Sequence, residues 1–173
     1  MLYIRSGKIK ASKKTAILNE GVPSSSASYI EINGGTITSE GENDDDYAIY
    51  NGERGEIRLK GGEINSTSSH AIYNTNSLII GNKFDSMFTD DPVITGDKYG
   101  VYNADGTMEF YDGTIKGKTG SYYGTFSHIT DGTMIKNETG FVYKTSYLAK
   151  MEDYVLADGK TYSSINDAID GLG

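Results

Sequence analysis

The chain of 173 residues has no cysteine and no tryptophan, and only two prolines and two histidines. Without cysteine there is no disulfide, no thiol nucleophile and no cysteine-type zinc site. No run approaches the ~20 apolar residues that a membrane-spanning helix needs. No sustained basic segment supplies the phosphate-neutralising charge on which nucleic-acid binding rests. The formal net charge of −8 points the same way, against nucleic acid and against membrane insertion. A hydrophobic fraction of 36% is low for a globular domain, yet too high for a disordered acidic chain. The length allows one domain with a thin core.

What is abundant is glycine, 22 residues, and tyrosine, 14. The glycines belong to a recurring block: apolar, any, apolar, any, a small or acidic residue, Gly, any, apolar. It runs Leu2-Tyr3-Ile4-Arg5-Ser6-Gly7-Lys8-Ile9, then Ile30-Glu31-Ile32-Asn33-Gly34-Gly35-Thr36-Ile37, then Ile57-Arg58-Leu59-Lys60-Gly61-Gly62-Glu63-Ile64. Met108-Glu109-Phe110-Tyr111-Asp112-Gly113-Thr114-Ile115 is a fourth copy, Ser127 to Met134 a worn one, and Leu78-Ile79-Ile80-Gly81-Asn82 one without its second glycine. A second block alternates with the first: Ala16-Ile17-Leu18-Asn19, Ala48-Ile49-Tyr50-Asn51, Ala71-Ile72-Tyr73-Asn74 and Gly100-Val101-Tyr102-Asn103. Its asparagines are 32, 23 and 29 residues apart, which suits windings that share strands but differ in loop length.

Each unit therefore holds three short segments in which apolar and polar residues alternate, the period-2 mark of a half-buried strand. Gly34-Gly35 and Gly61-Gly62 mark corners that need positive φ. Three short strands cannot enclose a private core, so each unit must bury its inward row against the units above and below. The expected fold is all-β: a right-handed parallel β-helix solenoid of about six irregular coils, roughly 30 Å long at ~4.8 Å per strand, with a short C-terminal helix. Ile30, Ile32, Ile37, Ile49, Ile57, Leu59, Ile64 and Ile72 are the expected inward stacks, each contributing roughly 1.5–3 kcal/mol when fully buried. An antiparallel sandwich is the competing fold, with hairpin signals at Asn51-Gly52 and Asp105-Gly106, but it gives no reason for one block to recur.

In stacked windings Asn51, Asn74 and Asn103 come into register. They can form an amide ladder, or each can simply tolerate a left-handed turn. Both readings are structural. The repeat is entered at Leu2 without a capping element or signal peptide before it, so earlier copies are expected upstream. Residues 1–150 read as the repeat module and 151–173 as a C-terminal cap or the start of a following module. In the latter, Ile165, Ala168, Ile169 and Leu172 share one helical face.

The Gly-Gly-x-Ile and Ala-Ile-Tyr-Asn blocks resemble the repeat modules of large, multi-domain surface proteins of Gram-positive, gut-type bacteria. So do Tyr99-Gly100-Val101-Tyr102-Asn103 and the stretch from Phe110 to Gly117. Such modules are similar to the pectin-lyase-like right-handed β-helix. The resemblance implies secretion, an extracellular location at the cell wall or surface, and an adhesive or spacer role. The partners it implies are a glycan or a host or cell-wall protein, together with other modules of the same chain.

The same fold hosts polysaccharide lyases and glycosidases, so a fragment of a carbohydrate-active enzyme is the alternative. A pectate lyase-like site needs clustered acids for calcium and an Arg or Lys base. A polygalacturonase-like site needs paired Asp, a Gly-His-Gly and an Arg-Ile-Lys type motif. Asp90-Asp91 is the nearest acidic pair; His70 lies between Ser69 and Ala71, His128 is isolated, and no arginine follows Arg58. The reading therefore assigns no catalytic residue, no metal and no cofactor. The acidic stretch Glu40 to Asp46 can offer oxygen ligands to calcium, but its spacing suits a solvated insertion better. The candidate binding face is aromatic: Tyr50, Tyr73 and Tyr102 at one repeat position, with Tyr122 and Tyr123 in a segment, Gly120 to Phe126, that breaks the repeat. Tyr47, Tyr99 and Tyr111 are expected to extend this outer stripe. Stacked tyrosines can bind sugar or protein, or can simply stabilise the sheet as cross-strand ladders.

Overall fold

The computed structural model describes residues 1–21, 28–81 and 91–129, with the backbone of four short strands beyond them. The protein is all-β, built as two sheets of mostly parallel strands and compatible with a parallel β-helix. Strands β1 (Leu2–Ile4), β2 (Lys8–Ala11) and β3 (Ile17–Asn19) make the first winding. The second has β4 (Ser28–Ser39) and β5 (Ile49–Asn51), the third β6 (Gly55–Ser66) and β7 (Ile72–Asn74). The fourth has β8 (Ser77–Ile80), β9 (Val93–Gly96) and β10 (Tyr99–Asn103), the fifth β11 (Thr107–Phe110), β12 (Gly113–Gly117) and β13 (Gly120–Tyr123). β14 (His128–Ile129) begins a sixth.

Like segments pair with like across the windings. β1, the first half of β4, the first half of β6, β8, β11 and β14 form one column of parallel pairs. β2, the second halves of β4 and β6, β9 and β12 form the next. β3, β5, β7, β10 and β13 form a separate five-stranded sheet. The registers match the repeat blocks: Ile30 pairs with Ile57 and Ile57 with Leu78, Ile37 with Ile64 and Ile64 with Ile94, Ile49 with Ile72 and Ile72 with Val101.

Alternation decides which side chains go inside. All eight expected inward residues, Ile30 through Ile72, are buried, and Leu78, Ile80, Ile94, Met108, Phe110 and Ile115 continue the same shaft. The corner between the halves of β4 and β6 explains the paired glycines. Gly35 and Gly62 have φ of 92° and 94°, and a Cβ on either would lie 2.7 Å from a carbonyl oxygen of the winding before, that of Gly7 or Gly35. Conformation and close approach both demand glycine there.

The parallel order ends after β14. β15 (Met134–Asn137) and β16 (Gly140–Tyr143) pair antiparallel, and β16 lies antiparallel beside β12. β17 (Tyr154–Val155) pairs antiparallel with β15 and with β18 (Thr161–Tyr162). The expected sixth parallel coil is thus only begun. The helical stretch bearing Ile165, Ala168, Ile169 and Leu172 lies outside the described residues.

Candidate binding face

The five-stranded sheet carries the tyrosines on its outer side. Within each of its short strands the flanking residues turn inward and the middle residue outward: Ile49 and Asn51 are buried, Tyr50 is half-buried, and Ile72, Tyr73 and Asn74 repeat the pattern. Parallel register then places Tyr50 on Tyr73, Tyr73 on Tyr102 and Tyr102 on Tyr123. Their rings stack with centroids 5.5, 5.3 and 4.4 Å apart and planes within 12°.

A second row runs beside the first. Tyr47, His70 and Tyr99 each stand two residues before the inward Ile49, Ile72 and Val101, so the same register aligns them. Tyr47 stacks on Tyr73 at 5.0 Å and on His70 at 5.9 Å, and His70 stacks on Tyr102 at 4.6 Å. Tyr99 meets Tyr102 and Tyr123 edge-on, at 5.9 and 6.0 Å. The residues missed by the sequence reading are therefore few, with His70 foremost. Its position two before Ile72, where its neighbours carry Tyr47 and Tyr99, was the available signal.

Two expected members do not belong. Tyr122 is in register with inward Val101, and packs against the core and against Phe126 at 4.6 Å. Adjacent strand residues point to opposite faces, so Tyr122 and Tyr123 cannot share one. Tyr111, 5% exposed, lies against His128 instead. Gly120 to Tyr123 does not break the repeat either: it is the fifth rung, β13, in register with β10. There Gly124, with φ of 92°, follows the tyrosine where asparagine stood before.

Three phenols of the face, Tyr47, Tyr50 and Tyr102, hold their protons more firmly than a free one. Tyr47 is pushed up to about 12, first by burial and then by the nearby Tyr73 and Asp45. Tyr50 and Tyr102 are raised for the same first reason, with neighbouring Glu20 acting on Tyr50 and Tyr123 on Tyr102. His70 is pushed down to about 4 by burial and then by the Lys98 ammonium, against the pull of Asp44. Its Nδ1 accepts from the Tyr99 backbone N–H at 3.3 Å, which leaves the proton of the neutral ring on Nε2. The face is therefore neutral over its rings at pH 7, rich in O–H donors and bordered by the Lys98–Asp44 ion pair at 2.6 Å.

Beneath the tyrosines the asparagines form the amide ladder. Asn19 Nδ2 donates to Asn51 Oδ1 at 2.8 Å, Asn51 Nδ2 to Asn74 Oδ1 at 2.7 Å, and Asn74 Nδ2 to Asn103 Oδ1 at 2.7 Å. The ladder gains a rung, Asn19, over the three expected.

The acidic segment is exposed at Glu40 and from Glu42 to Asp45, as a solvated insertion would be, and is anchored at its end by Asp46. Asp46 is buried, and its Oδ2 accepts from Asn43 N and Nδ2, both at 2.9 Å. Glu40 pairs with Lys10 at 2.7 Å, and Asp44 with Lys98. Among the described residues no three His, Asp or Glu side chains converge as a metal-binding group, and no helix is long and apolar enough to cross a membrane. Asp90 lies outside the described residues, and Asp91 precedes the buried Pro92. No family model, curated protein or solved structure matches the chain.

Proposed function

We propose that the chain is a right-handed, pectin-lyase-like parallel β-helix module of a bacterial surface protein, non-catalytic and extracellular, presenting a binding face for a glycan or a protein. The observation that carries this reading is the outward column Tyr50–Tyr73–Tyr102–Tyr123 with Tyr47, His70 and Tyr99 beside it, an aromatic strip across four windings. An aromatic surface of this size offers apolar area and hydroxyl groups together, the combination that sugar and protein ligands both use.

Stacking restricts how the strip makes contact. The inner rings spend their faces on one another, so they offer a ligand their edges and hydroxyls. Tyr123, at the end of the column and 48% exposed, offers more of its ring. A glycan would lie along the hydroxyl rims and stack at Tyr123.

The test is binding of the purified chain to mucins, host glycans and wall polysaccharides on an array, with Tyr73→Ala and Tyr102→Ala checked for folding by circular dichroism. Binding that falls at least about tenfold in a folded variant supports the reading. Absence of binding to every class, or binding that both variants retain, overturns the binding face and leaves a mechanical spacer. Cleavage of any of these polymers would replace it with the enzyme alternative.

A further inference from the structure

Two asparagines in the described residues are followed by glycine, Asn33-Gly34 and Asn51-Gly52, and the fold treats them oppositely. We propose that Asn33 is a site of spontaneous succinimide formation and conversion to aspartate or isoaspartate, and that the amide ladder protects Asn51 from the same reaction. The reaction needs a following residue with an unhindered backbone nitrogen, a side-chain amide carbon within its reach, and local freedom to bring the two together.

Asn33 meets these needs because of the corner it precedes. A Cβ at Gly34 would lie 2.7 Å from the Arg5 carbonyl oxygen, so the close approach of the first winding requires glycine after Asn33. The equivalent residues before the other paired corners are Arg5 and Lys60, so the Asn-Gly pair arises in this winding. Asn33 is exposed, and register shifts in the β4–β6 ladder fall on both sides of it. Its side chain is held by a single described bond, from Nδ2 to Glu31 Oε1 at 3.1 Å.

Asn51 is locked at every atom the reaction uses. Its Oδ1 accepts from Asn19, and its Nδ2 donates to Asn74 Oδ1, to the Gly55 carbonyl at 3.1 Å and to the Ser77 carbonyl at 3.0 Å. The attacking nitrogen, that of Gly52, already donates to the Asn19 carbonyl at 2.8 Å. The side chain is fully buried.

In the step itself the Gly34 nitrogen bonds to Asn33 Cγ as the Cγ–Nδ2 bond breaks. The Gly34 amide proton is transferred through solvent to the leaving group, which departs as ammonia. Water then opens the imide at either carbonyl, giving aspartate or, with the backbone running through Cγ, isoaspartate. No electrons are exchanged. The isoaspartate adds a methylene to the backbone at a corner with no spare room against the first winding.

The folded chain is incubated at mildly alkaline pH and physiological temperature, then digested and mapped by tandem mass spectrometry, with isoaspartate counted by methyltransferase labelling. Asn33 should gain about one mass unit while Asn51 converts at least about tenfold more slowly, and in denaturant the two should convert at similar rates. Asn33→Gln should remove the isoaspartate signal from the folded chain. Equal conversion of both residues in the folded chain, or a stable Asn33 in the folded chain alongside a reactive Asn33 in denaturant, overturns the proposal.

Discussion

Tyr102 and Tyr123 lie face to face, their ring centroids 4.4 Å apart and their planes 6° from parallel. Tyr102 also stacks on Tyr73 and on His70 and meets Tyr99 edge-on, so rings surround it as they surround Tyr73, whereas Tyr123 stands at the column's end. An aromatic pair contributes about 0.5–1.5 kcal/mol beyond its buried area. Tyr102→Ala should therefore cost about 2–3 kcal/mol, Tyr123→Ala at the column's end about 1 kcal/mol, and Tyr102→Phe less than about 0.5 kcal/mol. Chemical denaturation followed by near-ultraviolet circular dichroism checks the order; an equal loss for the two alanine variants contradicts it.

Beneath the rings, Asn74 is a central rung with partners on both sides. Asn74→Ala removes the donor to Asn103 Oδ1 and the acceptor for Asn51 Nδ2 in a fully buried site. The expected cost is about 2–4 kcal/mol, the combined effect of unsatisfied polar groups and a cavity. Asn74→Asp is more informative. Its carboxylate can still accept from Asn51 but faces Asn103 Oδ1 without a proton to offer, so its folded pKa must rise. A raised pKa gives stability that is present at low pH and lost as pH rises, so this variant should gain stability on acidification relative to the native chain. Urea midpoints measured across the acidic range test the sign.

Much of this was legible from local pattern. The inward isoleucines and the alignment of the asparagines follow from period-2 alternation and a repeated block, both short-range properties. The same logic, applied strictly, also separates Tyr122 from Tyr123 and puts Gly120 to Tyr123 on a rung; the missing asparagine at Gly124 concealed that copy. His70 escaped because a stack was sought among tyrosines, although its offset from Ile72 equals that of Tyr47 from Ile49. The turn to antiparallel pairing after β14 was not legible. Whether Gly140–Tyr143 adds beside β12 depends on which distant edge stands open, and that information is not in the strand's own sequence.

Gly7 and Gly62 separate two costs that usually come together. Both have positive φ, 96° and 94°, but a Cβ at Gly7 meets nothing within 4 Å, whereas one at Gly62 meets the Gly35 carbonyl oxygen at 2.7 Å. Gly7→Ala should cost about 1–2 kcal/mol, the backbone strain alone. Gly62→Ala must also push two windings apart and should cost about 3 kcal/mol or more. Thermal unfolding of the pair measures the difference, and equal melting temperatures would show that the corner has slack.

His70 gives the outer strip a pH dependence whose sign can be worked out. Its pKa is about 4 in the folded chain, lowered by burial and by Lys98, against about 6.5 when unfolded. Between those values the unfolded chain binds a proton that the folded chain does not. The contribution is therefore fully present above pH ~6.5, is lost as pH falls towards ~4, and does not change further below that. The full shift would correspond to roughly 3 kcal/mol, and solvent screening at a half-exposed ring reduces it to about 1 kcal/mol. His70→Phe keeps a ring against Tyr102 and removes the titration. The stability difference between the native chain and this variant should change by about that amount between neutral and acidic pH, with the native chain falling faster. Parallel stability curves for the two proteins would show that the imidazole takes up its proton as readily in the stack as in the unfolded chain.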